Sequence, residues 1–102
     1  MGLDLKKILL VEDSPNDAEL TLEALKSARL ANEVIWLKDG QEALDFLYCQ
    51  DAYAGRARVN PVLILLDLKM PRIDGFQVLK QIKDDEKLRT IPVVILTSSR
   101  EK

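Results

Sequence analysis

Three carboxylates and a hydroxyl stand where short apolar runs stop. Glu12 and Asp13 follow Ile8-Leu9-Leu10-Val11, Asp67 follows the run from Val62 to Leu66, and Thr97 follows the run from Val93 to Leu96. Gathered in one crevice, three carboxylates repel one another, and a hard divalent cation with oxygen ligands is the simplest relief. Magnesium suits this inventory, because it accepts one or two carboxylates, a backbone carbonyl and several waters while keeping a position for a phosphate oxygen. Softer metals call for sulfur or imidazole, and these 102 residues hold no histidine and one cysteine, Cys49. A strand-end carboxylate can itself accept a phosphoryl group, with a bridging cation neutralising the developing charge and Thr97 hydrogen-bonding the transferred group. A histidine base, histidine metal ligand or histidine phospho-carrier within this sequence is excluded.

Taken singly, each residue has an ordinary explanation. An acidic pair at a strand end is commonly a helix cap or a solvated loop, and a threonine there commonly satisfies a turn. What argues for a site is joint placement, and that depends on the elements that carry the residues. Ile8 to Val11 is a short unbroken apolar run, as expected of a strand buried on both faces of a parallel sheet. A helix is expected from about Pro15 to Arg29, with proline at its first position, Asp17 and Glu19 in its first turn, and Ala18, Leu22, Leu25 and Ala28 as its apolar stripe. Val34 to Leu37 reads as a second strand, and Lys38-Asp39-Gly40 turns into a second helix carrying Ala43, Leu44, Leu47 and Tyr48 on one side. From Asp51 to Pro61 the chain is small, polar and basic, and reads as an exposed loop in which Arg56 and Arg58 are solvated. A third strand, Val62 to Leu66, ends at Asp67. Asp74-Gly75 starts a third helix with Phe76, Leu79 and Ile82 as its buried stripe, and Pro92 opens a fourth strand, Val93 to Leu96.

Strand and helix thus alternate, and right-handed crossovers turn that order into a doubly wound parallel α/β sheet. Ligands of such sheets bind beyond the carboxyl ends of the strands, where the strand order reverses. In the strand order known for open sheets of this kind the first strand lies between the second and third, which brings Glu12, Asp13, Asp67 and Thr97 over one crevice. The second strand ends in Leu37 and adds nothing reactive.

Composition narrows the function further. One domain is the most that 102 residues support, and 47% hydrophobic with 31% charged residues is ordinary for a globular chain. Fifteen basic against 17 acidic side chains give a net charge of -2, with no basic stripe for a nucleic acid. There is no secretory start and no apolar run near the ~20 residues that cross a bilayer, so a cytoplasmic location is expected, with no direct nucleic-acid or membrane contact. Trp36 and Cys49 are rare residues that read as packing on the second strand and as a half-buried free thiol on the second helix.

The segments "ILLVEDS", "LILLDLKMPRIDG" and "IPVVILTSS" resemble, in order, the three signatures of response regulator receiver domains. The resemblance spans nearly the whole chain and implies the flavodoxin-like receiver fold, two-component signalling and Mg2+ as cofactor. It implies that Glu12 and Asp13 are the acidic metal-binding pair, Asp67 the phospho-acceptor, Lys69 a magnesium ligand through its backbone carbonyl, and Thr97 the switch hydroxyl. Met70 and Pro71 match the loop after the acceptor, and Gly75 the tight start of the third helix. The implied donor is a phosphohistidine on a sensor histidine kinase or phosphotransfer protein. The basic loop, with "DGQEALDFLY" and "LTSSRE", further resembles the small single-domain regulators that accompany bacterial phytochromes.

The family pattern continues through a fourth helix, a fifth strand bearing a lysine, and a fifth helix, whereas this sequence stops at Lys102. None of Lys69, Lys80, Lys83 and Lys87 takes that lysine's place. The expectation is therefore a receiver domain lacking its last α-β-α segment, a fragment of a longer regulator or one that dimerises or swaps elements over its fourth strand, with impaired phosphorylation. Two rival readings are a passive receiver-like interaction module and an aspartate-nucleophile phosphatase of the haloacid-dehalogenase type. The latter wants a second aspartate where Lys69 stands.

Overall fold

The structure, a computed structural model, describes residues 7–29, 32–56, 59–70 and 73–96. Its elements are β1 (Ile8–Val11), α1 (Pro15–Ser27), β2 (Val34–Leu37), α2 (Gly40–Leu47), a 3-10 turn (Asp51–Tyr53), β3 (Leu63–Asp67), α3 (Gly75–Asp84) and β4 (Val93–Leu96). The four strands are all parallel in the order β2-β1-β3-β4. The first crossover, β1 to β2, runs one way across the sheet and the later ones run the other way. With right-handed connections, this puts α1 on one face and α2 and α3 on the opposite face.

The two faces are legible in the alternation along β1. Leu9 and Val11 join Leu37, Ile64 and Leu66 in a large core with Ala43, Leu44 and Leu47 of α2 and Val78 and Ile82 of α3. Ile8 and Leu10 point the other way, into a smaller cluster with Ala18 of α1 and Leu65, lined by half-buried Leu22, Leu25 and Trp36.

Local chemistry sets the helix starts. Ser14 caps α1, its hydroxyl accepting from the Asp17 amide at 3.3 Å. Asp39 caps α2 through the Glu42 amide at 2.8 Å. Asp74 forms a reciprocal capping box with Gln77 at the head of α3. The expected helix ending at Arg29 stops earlier, because Ala28 is the C-cap and Arg29 takes a φ of 60°, in the left-handed region. Ala28 is exposed, so the buried stripe of α1 is shorter than expected.

Three other expectations are corrected. Phe76 is 63% exposed rather than buried, since Val78 and Ile82 face the sheet and Phe76 lies about 160° round a 3.6-residue-per-turn helix from Val78. Cys49 falls beyond α2, with a φ of 55°. Arg56 is not a solvated loop residue. Its Nε and one Nη donate to the carbonyl of Phe46 at 3.1 and 2.8 Å, the other Nη donates to the Val59 carbonyl at 3.2 Å, and its guanidinium lies 3.8 Å from the Phe46 ring centroid. Arg56 thus satisfies a carbonyl in the last turn of α2 and pins the basic loop beneath it. Arg58, Pro71, Thr97 and Lys102 lie outside the described residues.

Candidate functional site

Backbone register brings the acidic residues together. Val11 pairs with Leu66 across β1 and β3, so the next residues along, Glu12 and Asp67, leave the sheet side by side. β3 starts one residue later than expected, at Leu63, and ends at Asp67, which pairs with Leu96 at the end of β4. One carboxylate oxygen from each of Glu12, Asp13 and Asp67 lies within 4.8 Å of the others. The crevice is at the carboxyl edge, between β1 and β3, where the crossovers reverse.

The three carboxylates differ in surroundings. Glu12 is 4% and Asp67 5% exposed, while Asp13 is open to solvent. Burial pushes the Glu12 carboxyl up to about 7, and the charge of the neighbouring Asp67 adds to this. The Ser14 amide, which donates to Glu12 Oε2 at 3.2 Å, works in the opposite direction. Two buried carboxyls this close need a proton or a cation between them. An all-oxygen cluster with one solvent-facing member fits a hard cation that retains water, and these three residues could hold it.

The chain after Asp67 is folded tightly back against it. The Lys69 amide donates to Asp67 Oδ1 at 3.1 Å, fixing the carboxylate's rotamer, and Lys69 itself is exposed. The Gly75 amide donates to the Leu68 carbonyl at 3.2 Å, and a Cβ at Gly75 would collide with the Asp67 carbonyl oxygen and the Leu68 Cα. Glycine is thus required for α3 to start this close to the strand end. Gly40 plays a similar part on the far side of the loop, where a Cβ would strike the Ile73 carbonyl oxygen.

Of the residues singled out from sequence, Glu12, Asp13 and Asp67 converge, Lys69 adjoins them, and Thr97 lies one position beyond Leu96, outside the described residues. Sequence reasoning missed Trp36. Its indole Nε1 donates to the backbone carbonyl of Glu12 at 2.7 Å. Its placement on β2, next to the strand that ends in the acidic pair, was the available signal.

A family model described as the response regulator receiver domain matches residues 8–102. Response regulator Rcp1 from Synechocystis sp. is 49% identical over 94 residues, which are 92% of this chain and 63% of that protein. Its Mn2+-bound crystal structure superposes with a TM-score of 0.83 at 47% identity, covering 95% of this chain and 68% of that one. The bacteriophytochrome response regulator AtBRR gives a TM-score of 0.91 at 53% identity over 96% of this chain and 70% of that one. The phosphorylated cyanobacterial phytochrome response regulator RcpA gives 0.82 at 45% identity over 95% and 68%. The chain spans about three fifths of the length of the first curated relatives it matches. No helix among the described residues is long and apolar enough to cross a membrane.

Proposed function

As the chain belongs to the response regulator receiver domain family, we propose that Asp67 is its phosphoryl acceptor and that Glu12, Asp13 and Asp67 hold the Mg2+ that phosphorylation needs. The observation that carries this reading is the meeting of the three carboxylates at the β1–β3 switch point. Asp67 is the only one of them at the end of β3, with its carboxylate set by the Lys69 amide and its backbone wedged by Gly75.

In the proposed reaction an oxygen of Asp67 attacks the phosphorus of a phosphohistidine. The phosphorus–nitrogen bond breaks as the oxygen–phosphorus bond forms, and the histidine of the donor leaves with the electron pair and regains its ring electronics. Glu12, Asp13 and Asp67 would hold the cation, whose chemistry there would be to neutralise charge at the transferred group. On the strength of the resemblance of their segments, the Lys69 carbonyl would complete that binding set and the Thr97 hydroxyl would donate a hydrogen bond to a phosphoryl oxygen. Donor chemistry of this kind belongs to a sensor histidine kinase or phosphotransfer protein, and the likeness to AtBRR and RcpA supports a bacteriophytochrome as that kinase. Exposed Val94 on β4, an edge of the described sheet, supports a homodimer or element swap over that strand, which size-exclusion with light scattering checks.

The deciding experiment is intact-mass analysis after incubation with a small-molecule phosphodonor and Mg2+. One added phosphoryl group, lost in Asp67→Asn and in chelator, is the expected result. A group that persists in Asp67→Asn places the acceptor elsewhere, and no uptake together with no beryllofluoride binding supports the passive interaction module.

A further inference from the structure

The Glu12–Asp13 peptide is gripped from the β2 side. The Glu12 amide donates to the Leu37 carbonyl at 3.0 Å, continuing the β1–β2 ladder one step past Val11. The Glu12 carbonyl, which an ordinary strand end would leave to water, instead accepts from the Trp36 indole at 2.7 Å. A peptide group is planar, so fixing that carbonyl also fixes the amide of Asp13 and the position of its Cα, the point from which its side chain departs. Asp13 is exposed, and the backbone that carries it is what aims its carboxylate at Glu12 and Asp67.

Packing alone does not ask for this residue. The face of β2 that Trp36 occupies meets Ile8, Leu10 and Ala18, and any large apolar side chain would cover them. An indole adds one thing, a single N–H that donates and never accepts. Here that N–H is spent on the backbone of the acidic pair.

We infer that Trp36 is a positioning residue of the cation site: through its indole N–H it holds the Glu12–Asp13 peptide in the orientation that lets Asp13 share a divalent cation with Glu12 and Asp67. The inference rests on the reading of those three carboxylates as the cation site. It makes β2, which contributes no ligand, a support for the site, and makes the chain's one tryptophan a direct sensor of occupancy. Outer partners that orient ligands commonly govern metal affinity in this way.

The test is calorimetric titration of the full chain with Mn2+ alone, comparing wild type, Trp36→Phe, and the chain carrying benzothienylalanine at position 36, which keeps the bicyclic shape but replaces N–H with sulfur. Both altered chains should bind Mn2+ about tenfold more weakly. The benzothienyl chain should unfold at nearly the wild-type temperature, and in wild type the indole N–H proton resonance should move with Mg2+ occupancy. Wild-type affinity in the benzothienyl chain overturns the inference and leaves the cation site standing. A wild-type chain that binds neither cation overturns both.

Discussion

Glu12 and Asp67 leave adjacent parallel strands at the same level, two buried carboxyls with an oxygen of each within 4.8 Å of the other. With Glu12 pushed up to about 7 from an ordinary 4.5, chiefly by burial and then by Asp67, the folded chain holds a proton that the unfolded chain releases. The stabilisation from that proton is complete below about pH 4.5 and is lost as pH rises through about 7. In chelator, the urea midpoint should therefore fall across this window, and Glu12→Gln should flatten the slope. Because a cation must displace the same proton, Mg2+ affinity should rise with pH and level off above about 7.

Gly75→Ala forces a methyl group against the Asp67 carbonyl and the Leu68 Cα. The expected destabilisation is about 1–3 kcal/mol in denaturant unfolding. Because the atoms displaced belong to the backbone of the proposed acceptor, phosphoryl uptake should fall even in the fraction that remains folded.

Arg56→Ala removes two charge-assisted bonds to the Phe46 carbonyl and the stacking on its ring. Chemical denaturation should show a loss of about 2 kcal/mol. Arg56→Lys should recover little of it, since an ammonium cannot present the same planar fork. Mn2+ affinity should be unchanged, because the clasp is anchored on the C-terminal end of α2 and touches none of the carboxylates.

On α3, Phe76→Ser should change stability by no more than about 0.5 kcal/mol, whereas Ile82→Ala should cost about 2–5 kcal/mol. Paired thermal melts of the two variants check the assignment of the buried face.

The strand order, the two-faced cover and the meeting of Glu12, Asp13 and Asp67 were legible because each rests on a strong regularity. Short apolar runs mark buried parallel strands, crossover handedness fixes their order, and polar residues at strand ends mark the crevice. Phe76 was misplaced because hydrophobicity was read without its angular position, and a single exposed aromatic does not announce itself. Arg56 and Trp36 escaped for a different reason. Their partners are backbone carbonyls, of Phe46 and Glu12, and a carbonyl leaves no mark in sequence. Cation ligands carry side-chain chemistry and can be read, whereas the groups that aim them often cannot.

Helix α1 fully buries one residue, Ala18, against three in α3 and five in α2. So thin an anchorage makes α1 the readiest of the three to open by local unfolding, and its amide hydrogens should exchange with solvent soonest. Its first turn hangs from Ser14, whose amide is held by Glu12 and which directly follows Asp13. A cation gripping that pair would raise the free energy of opening and slow exchange along the whole helix, so that occupancy of a three-carboxylate crevice is broadcast as the breathing of a surface some turns away.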